Sequence, residues 1–242
     1  MGAISVMVPT YCRPHYIRES IESILSQTLK PAQLIVVDNG LSPETRGICE
    51  SYDGVEYLQS SPAGKSHACN FGLNHVKGEY LWIFDDDDVA APDALETLVE
   101  PLLNGEYDFS YSSFWKIGNS MAEPLGLYRI PDFKEDEFFT ALLKDNFISG
   151  ASLFARTGCY REAGGCDPRL RRSQDYDLAR RIARKFRGIR IDHPTYFRRE
   201  HQNEKGQGPE AFDVSEKYRT WLEYDQVIFR RLYSELPLYE YT

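Results

Sequence analysis

Four consecutive carboxylates, Asp85, Asp86, Asp87 and Asp88, follow directly on the apolar run Tyr80–Phe84. Two carboxylates about 4 Å apart repel by about 4 kcal/mol at an effective dielectric near 20. Such a run either stands in water or receives a positive charge. A cluster complementing the dipole of a helix after Pro92 accounts for Asp88 but poorly for all four. In an extended backbone Asp85 and Asp87 share a side. Their hard oxygens suit Mn2+ or Mg2+, cations that commonly bridge to phosphates. A calcium loop beginning at Asp85 fails, because Val89 replaces an oxygen ligand and Ala90 the turn glycine.

Asp175, in "SQDYDLARR", offers a second kind of chemistry. It opens an amphipathic helix beside Arg171 and Arg172. The helix dipole and these arginines favour its ionised form, and an ionised carboxylate can take a proton from a hydroxyl nucleophile. Helix capping is the purely structural alternative. Asp177 is the local competitor, on another face of the same helix.

The elements that must position these groups read as α/β. "ISVMVP" (4–9) and "LIVV" (34–37) have no polar face, as expected of parallel strands covered on both sides. "VEYLQ" (55–59) and "YLWIF" (80–84) are the next strands. Ile17, Ile21, Ile24 and Leu25 form one stripe of a helix after Pro14. A second helix covers "NFGLNHV" (70–76) from near Ser66, and a third follows Pro92 with Leu95, Leu98, Val99 and Leu102. From Asp108 the rhythm changes. "YDFSYSSFWKIG" and "EPLGLYRIP" suggest a hairpin, "DEFFTALLKDN" a helix, "ISGASLFAR" a strand and "SQDYDLARRIARKF" a helix. "GIRIDHPTYFRREH" reads as a last strand and 210–233 as a terminal helix. Carboxyl ends of strands in such a sheet are where ligands bind, so the acidic run is well placed. Phe114, Trp115 and Tyr128 read as core aromatics rather than sugar-stacking platforms.

Composition bounds the partners. The 242 residues are 42% hydrophobic and 27% charged, with a net charge of −9. Global acidity disfavours nucleic acid. Residues 1–150 carry 10 Lys and Arg against 23 Asp and Glu, and residues 151–242 carry 18 against 14. The basic remainder suits an anionic substrate or a peripheral contact with a lipid surface, through Arg180, Arg181, Arg184 and Lys185; a solvated helix face is the alternative. Five scattered cysteines without a C-x-x-C predict reduced thiols. No run reaches the ~20 apolar residues of a membrane span and the N-terminus lacks a signal-peptide pattern, so a cytoplasmic chain is expected. Gly64-Lys65-Ser66 is no P-loop, because Gln59 occupies the position of its first glycine.

Five segments in order resemble the family 2 glycosyltransferases of GT-A fold. They are "VPTYCRPHYIRESIESILSQT", "LIVVDNGLS", "AGKSHACNFGLNHVKGEYLWIFDDDD", "ISGASLFARTGCYREAGGCDPRLRRSQDYDLARR" and "FRREHQNE". The resemblance implies a single Rossmann-like α/β domain with a mixed central sheet flanked by helices. It divides into a nucleotide-sugar half with an Asp-x-Asp motif (1–107), an acceptor half with the base (108–209) and a C-terminal helical segment (210–242). It implies a metal-dependent inverting enzyme that moves a sugar from a nucleoside diphosphate, most simply UDP, to a saccharide or lipid-linked saccharide hydroxyl. Surface polysaccharide or glycoconjugate synthesis would be the setting.

The implied roles are specific. Asp38 would accept the imide hydrogen of the base, over a floor of Thr10, Tyr11 and Arg13. Lys65 and Asn70 would line the ribose or phosphates, Asp85 would face the ribose with Asp86 beside it, and Asp87 and His201 would ligate Mn2+ or Mg2+. Asp175 would be the catalytic base. Gln174 departs from the usual Glu of a Glu-Asp pair, and Asn39 from a second Asp. The Gln174 departure keeps a non-catalytic sugar- or nucleotide-binding module open. A nucleotidyltransferase is the other alternative, against which "PTYCRP" lacks the glycine-rich loop.

Overall fold

The computed structural model describes residues 2–134, 137–201, 204–205, 212–213 and 217–235. The chain begins β1 (Ile4–Thr10), α1 (Pro14–Leu25), β2 (Gln33–Asp38), α2 (Pro43–Glu50), β3 (Val55–Gln59), α3 (Lys65–Leu73) and β4 (Tyr80–Ile83). Every residue of β1 and β2 is buried, which is why neither carries a polar face. Period-two alternation then sorts their side chains. Met7, Ile35, Val37 and Leu81 face one core, and Val6, Val8, Leu34, Val36 and Trp82 the other. Each fully buried Val, Leu or Ile contributes about 1.5–3 kcal/mol. Ile17, Ile21 and Ile24 of α1 close the second core, as their spacing predicts.

After β4 come β5 (Val89–Ala90), α4 (Ala94–Val99), β6 (Phe109–Ser112), β7 (Phe114–Ile117), β8 (Pro124–Tyr128), α5 (Phe138–Lys144), β9 (Leu153–Arg156), α6 (Thr157–Glu162) and α7 (Gln174–Ala183). β10 (Gly188–Ile191), β11 (Tyr196–Arg199), β12 (Glu204–Lys205), β13 (Phe212–Asp213) and α8 (Lys217–Glu235) complete the order. The main sheet runs β10-β6-β9-β4-β1-β2-β3, with β9 antiparallel to both neighbours and the rest parallel. A four-stranded sheet, β5-β11-β7-β8, lies apart from it. Helices α3, α5, α6 and α7 supply one core and α1, α2 and α4 the other, so the fold is a mixed sheet between two helical layers.

Several boundaries differ from the sequence reading. The expected hairpin strand breaks at Ser113: β6 joins the main sheet, and only β7 pairs with β8. The expected last strand also splits, β10 beside β6 and β11 beside β7, with Pro194 between. "ISGASLFAR" is strand only from Leu153, because Gly150–Ser152 form a 3-10 turn. Helices α2 and α6 were not anticipated. Phe114 is buried as expected and stacks at 4.7 Å on the half-buried Tyr128, whereas Trp115 is 39% exposed on the alternate face of β7. The terminal helix begins at Lys217, and residues 210–211, 214–216 and 236–242 of the 210–242 segment lie outside the described residues.

Candidate active site

The acidic run is where the chain passes from one sheet to the other. β4 stops at Ile83 and β5 starts at Val89. Asp86 and Asp87 form a turn, closed by Asp88 N–H donating to the Asp85 carbonyl at 3.3 Å. The extended geometry expected of Asp85 and Asp87 is therefore corrected. Their carboxylates still converge, because the turn draws Asp85, Asp87 and Asp88 together and sends Asp86 aside. Asp86 folds back, buried, accepting from Thr10 Oγ1 at 2.6 Å and Arg13 Nη1 at 3.2 Å. Oxygens of Asp85, Asp87 and Asp88 all lie within 4.8 Å of one another. Asp88, absent from the sequence-based site, thus joins it, and Asp86 turns away.

Basic groups face this cluster. Arg13 Nη1 donates to Asp87 Oδ2 at 2.7 Å, His201 Nε2 lies 2.5 Å from the same oxygen, and Lys65 Nζ donates to Asp85 Oδ1. Burial opposes ionisation of Asp87, but the His201 hydrogen bond and the Arg13 charge outweigh it and hold the carboxyl below its ordinary range. Burial pushes the Asp86 carboxyl up to about 6, against the pull of Arg13. Burial and the neighbouring Asp87 and Asp85 push Asp88 well above the carboxylate range, although Arg199 N–H donates to it at 2.9 Å. His201 enters through Asp87 rather than through the three-way cluster.

Asp175 reaches the same place from α7. A methyl group built on Gly150 would stand 3.5 Å from Lys65 Nζ, 3.6 Å from Asp175 Oδ2 and 3.6 Å from Asp85 Oδ2. The three charged groups therefore surround one small space over the Gly150 backbone. Burial works against the charge of Lys65, but Asp85 and Asp175 keep its ammonium protonated well above the lysine norm. Gln174, Asp175, Gly150 and Lys65 line one small cavity. Gln174 Oε1 is buried there with no hydrogen-bond partner among the described residues. Asp177 is spoken for: Arg181 Nη2 and Nε donate to it at 2.6 and 2.9 Å.

The remaining candidates divide. Thr10 and Arg13, expected beneath a base, stand against the acidic turn. Tyr11 lies in the bend after β1, where Gly40 is required. A Cβ there would meet Cys12 Sγ at 2.6 Å and Cys12 N at 2.9 Å. Asp38 is fully enclosed and accepts from Gly40 N–H, Ser42 N–H and Tyr57 Oη, each at 2.8 Å, so it shapes the loop between β2 and α2. Asn70 spends its amide on the Cys166 backbone, donating to the carbonyl and accepting from N–H at 2.8 Å each. Sequence reasoning missed Arg199. It is buried, donates to Asp87 O and Asn119 O and pairs with Glu19 at 2.6 Å. A doubled arginine beside His201 in "FRREH" was its only signal.

The chain matches the Glycosyl transferase family 2 over residues 5–161. It is 33% identical over 193 residues to an uncharacterized glycosyltransferase of Rickettsia bellii, covering 75% of this chain and 27% of that protein. A GalNAc(5)-diNAcBac-PP-undecaprenol beta-1,3-glucosyltransferase of Campylobacter jejuni is 29% identical over 158 residues, 62% of this chain and 51% of that protein. The chain thus spans only part of these relatives' length. In fold it resembles S. aureus TarS 1-349 in complex with UDP-GlcNAc, with a TM-score of 0.70, 19% identity, and coverage of 93% of this chain and 66% of that one. It also resembles the mannosyltransferase PcManGT of Pyrobaculum calidifontis in complex with GDP-Man and Mn2+, with a TM-score of 0.60, 21% identity, and coverage of 81% and 56%. With the matched segment running from β1 into α6, the chain belongs to glycosyl transferase family 2 and has the GT-A fold.

Proposed function

We propose that the chain transfers a sugar from a UDP-linked donor to a hydroxyl of a saccharide or lipid-linked saccharide, with inversion at the anomeric carbon. The observation that carries this reading is the convergence of Lys65, Asp85 and Asp175 around Gly150, beside the Asp85, Asp87 and Asp88 cluster. Complexes of TarS with UDP-GlcNAc and of PcManGT with GDP-Man and Mn2+ support the donor class. The Campylobacter relative, named for a diphosphate-linked undecaprenol saccharide, supports the acceptor class.

Three mutually close carboxylates fit a hard divalent cation. Asp85, Asp87 and Asp88 would hold Mn2+ or Mg2+, which when bound supplies positive charge to the departing diphosphate. Lys65 adds a fixed ammonium on the same side. Asp175 takes the proton of the acceptor hydroxyl as its oxygen attacks the anomeric carbon. The bond from that carbon to the diphosphate breaks as the new bond forms, so one displacement inverts the centre. Tyr11 and the loop built on Asp38 would receive the base at the carboxyl ends of β1 and β2. Donor binding falls to residues 1–107 and acceptor binding to 108–209. Five cysteines without a disulfide support a reducing, cytoplasmic setting. Among the described residues no helix is long and apolar enough to cross a membrane, and any membrane contact would be peripheral. Asp175→Asn tests the assignment: sugar transfer should be abolished with UDP affinity intact, and unimpaired turnover would remove Asp175 as the base.

A further inference from the structure

A cavity of about 530 Å3 is lined by residues of α7, the 164–169 loop and α8. Five arginines, Arg169, Arg180, Arg181, Arg184 and Arg231, are among the residues that line it. The lining also includes two carboxylates, Asp167 and Asp177. Asp177 is held by Arg181 at 2.6 Å, and Asp167 by Arg169 at 2.9 Å and Arg231 at 2.5 Å. Arg184 and Lys185 are exposed, but Arg180 does not belong to a solvated helix face. Arg180 is 3% exposed, its guanidinium 5.2 Å from the Tyr176 ring centre and 5.9 Å from that of Phe229.

We infer that this cavity binds the phosphate or diphosphate of an anionic acceptor. Planar guanidinium groups match phosphate oxygens in pairs, and several of them converging on a cleft are the side-chain chemistry that recognises it. The position also fits. Cys166 lines both this cavity and the small one at Asp175. Arg180 and Arg181 of α7, and Arg184 at its C-terminal cap, follow Asp175 by five to nine residues, about 8–14 Å along the helix axis. A ligand engaging both must carry a hydroxyl and a phosphate about that far apart, as a phosphorylated or diphosphate-linked saccharide does and a simple sugar does not. This assignment rests on the glycosyl-transfer reading, whose acceptor it specifies.

The test is calorimetric titration of the full chain with inorganic pyrophosphate, with EDTA present so that no divalent cation recruits the probe to the acidic turn. Arg169 and Arg184 are exposed, so the double variant R169Q/R184Q is expected to fold with an unchanged melting temperature. It should bind pyrophosphate about tenfold more weakly or worse, while its affinity for UDP with Mn2+ stays that of the parent. Equal pyrophosphate binding by both proteins, or none by the parent, overturns the inference. Loss of UDP–Mn2+ binding in the parent is a separate result that removes the glycosyl-transfer reading instead. Sedimentation with phosphatidylcholine vesicles containing a polyprenyl diphosphate, lost in the variant, would assign the phosphate to a lipid headgroup. Pyrophosphate binding without such sedimentation would assign it to a soluble phosphorylated saccharide. Equal capture of parent and variant by polyprenyl diphosphate vesicles and by phosphatidylglycerol vesicles of matched charge would show a charged surface in place of a site, and overturn the inference.

Discussion

The Nε2 atom of His201 lies 2.5 Å from Oδ2 of Asp87, and both side chains are mostly buried, at 12% and 14% exposed. The imidazole, braced edge-on by Tyr16 at 5.6 Å, orients a carboxylate that belongs to the three-way cluster. Groups that orient a metal ligand typically contribute 10–100-fold to metal affinity. His201→Ala should therefore weaken Mn2+ binding in the presence of UDP by about 10-fold or more, read by Mn2+ titration. Unchanged affinity would show that the imidazole has no part in holding Asp87.

Gly150 separates stability from activity. A methyl group there meets only atoms at ordinary contact distance, 3.5 Å or more, so Gly150→Ala should fold and gain up to about 1 kcal/mol from a stiffer unfolded chain. The same methyl occupies the space among Lys65, Asp85 and Asp175. Displacing a reacting group by ~1 Å can cost ~100-fold, and UDP release from the donor should fall by about that factor. Full turnover in a normally folded Gly150→Ala protein would mean that the reacting atoms pass elsewhere.

Asn39 explains its own departure from the family pattern. Its Nδ2 donates to Ser60 Oγ and Pro62 O at 2.9 Å and to Ser60 O at 3.2 Å, and its Oδ1 accepts from Gly64 N–H. An Asp has no such donor and would set a charge against two carbonyls. Asn39→Asp should destabilise the protein by about 1–3 kcal/mol, the cost of leaving buried groups unpaired. It should also loosen the loop that delivers Lys65. Chemical denaturation measures the first effect, and a midpoint identical to the parent's would contradict it.

Local pattern and long-range assembly were not equally legible. The apolar runs of β1, β2 and β4 and the stripe on α1 identify themselves, because burial on a sheet or helix imposes its period on the chain. Asp85, Asp87 and Asp175 stand out as candidates in the sequence because charge at strand and helix ends has few idle explanations. Asn70 was read toward the donor but is claimed by Cys166, 96 residues away, a contact no spacing announces. Gly150 and Arg199 escaped for the same reason. One acts by lacking a side chain where three elements meet, the other by bracing carbonyls and a carboxylate from α1 and the Asp87 turn. Asp88 was set aside because its role depends on a turn that β11 draws out of the strand.

The central claim is that the acidic turn holds a divalent cation against the diphosphate of a UDP-linked donor. Thermal melting with UDP, with and without Mn2+, tests it most directly. A ligand present at 100 times its Kd adds about 2.7 kcal/mol, or roughly 5–11 °C for a domain of this size. The account predicts a shift of that size with UDP and Mn2+ together and little with either alone. A UDP shift indifferent to Mn2+, or no shift under either condition, would contradict it.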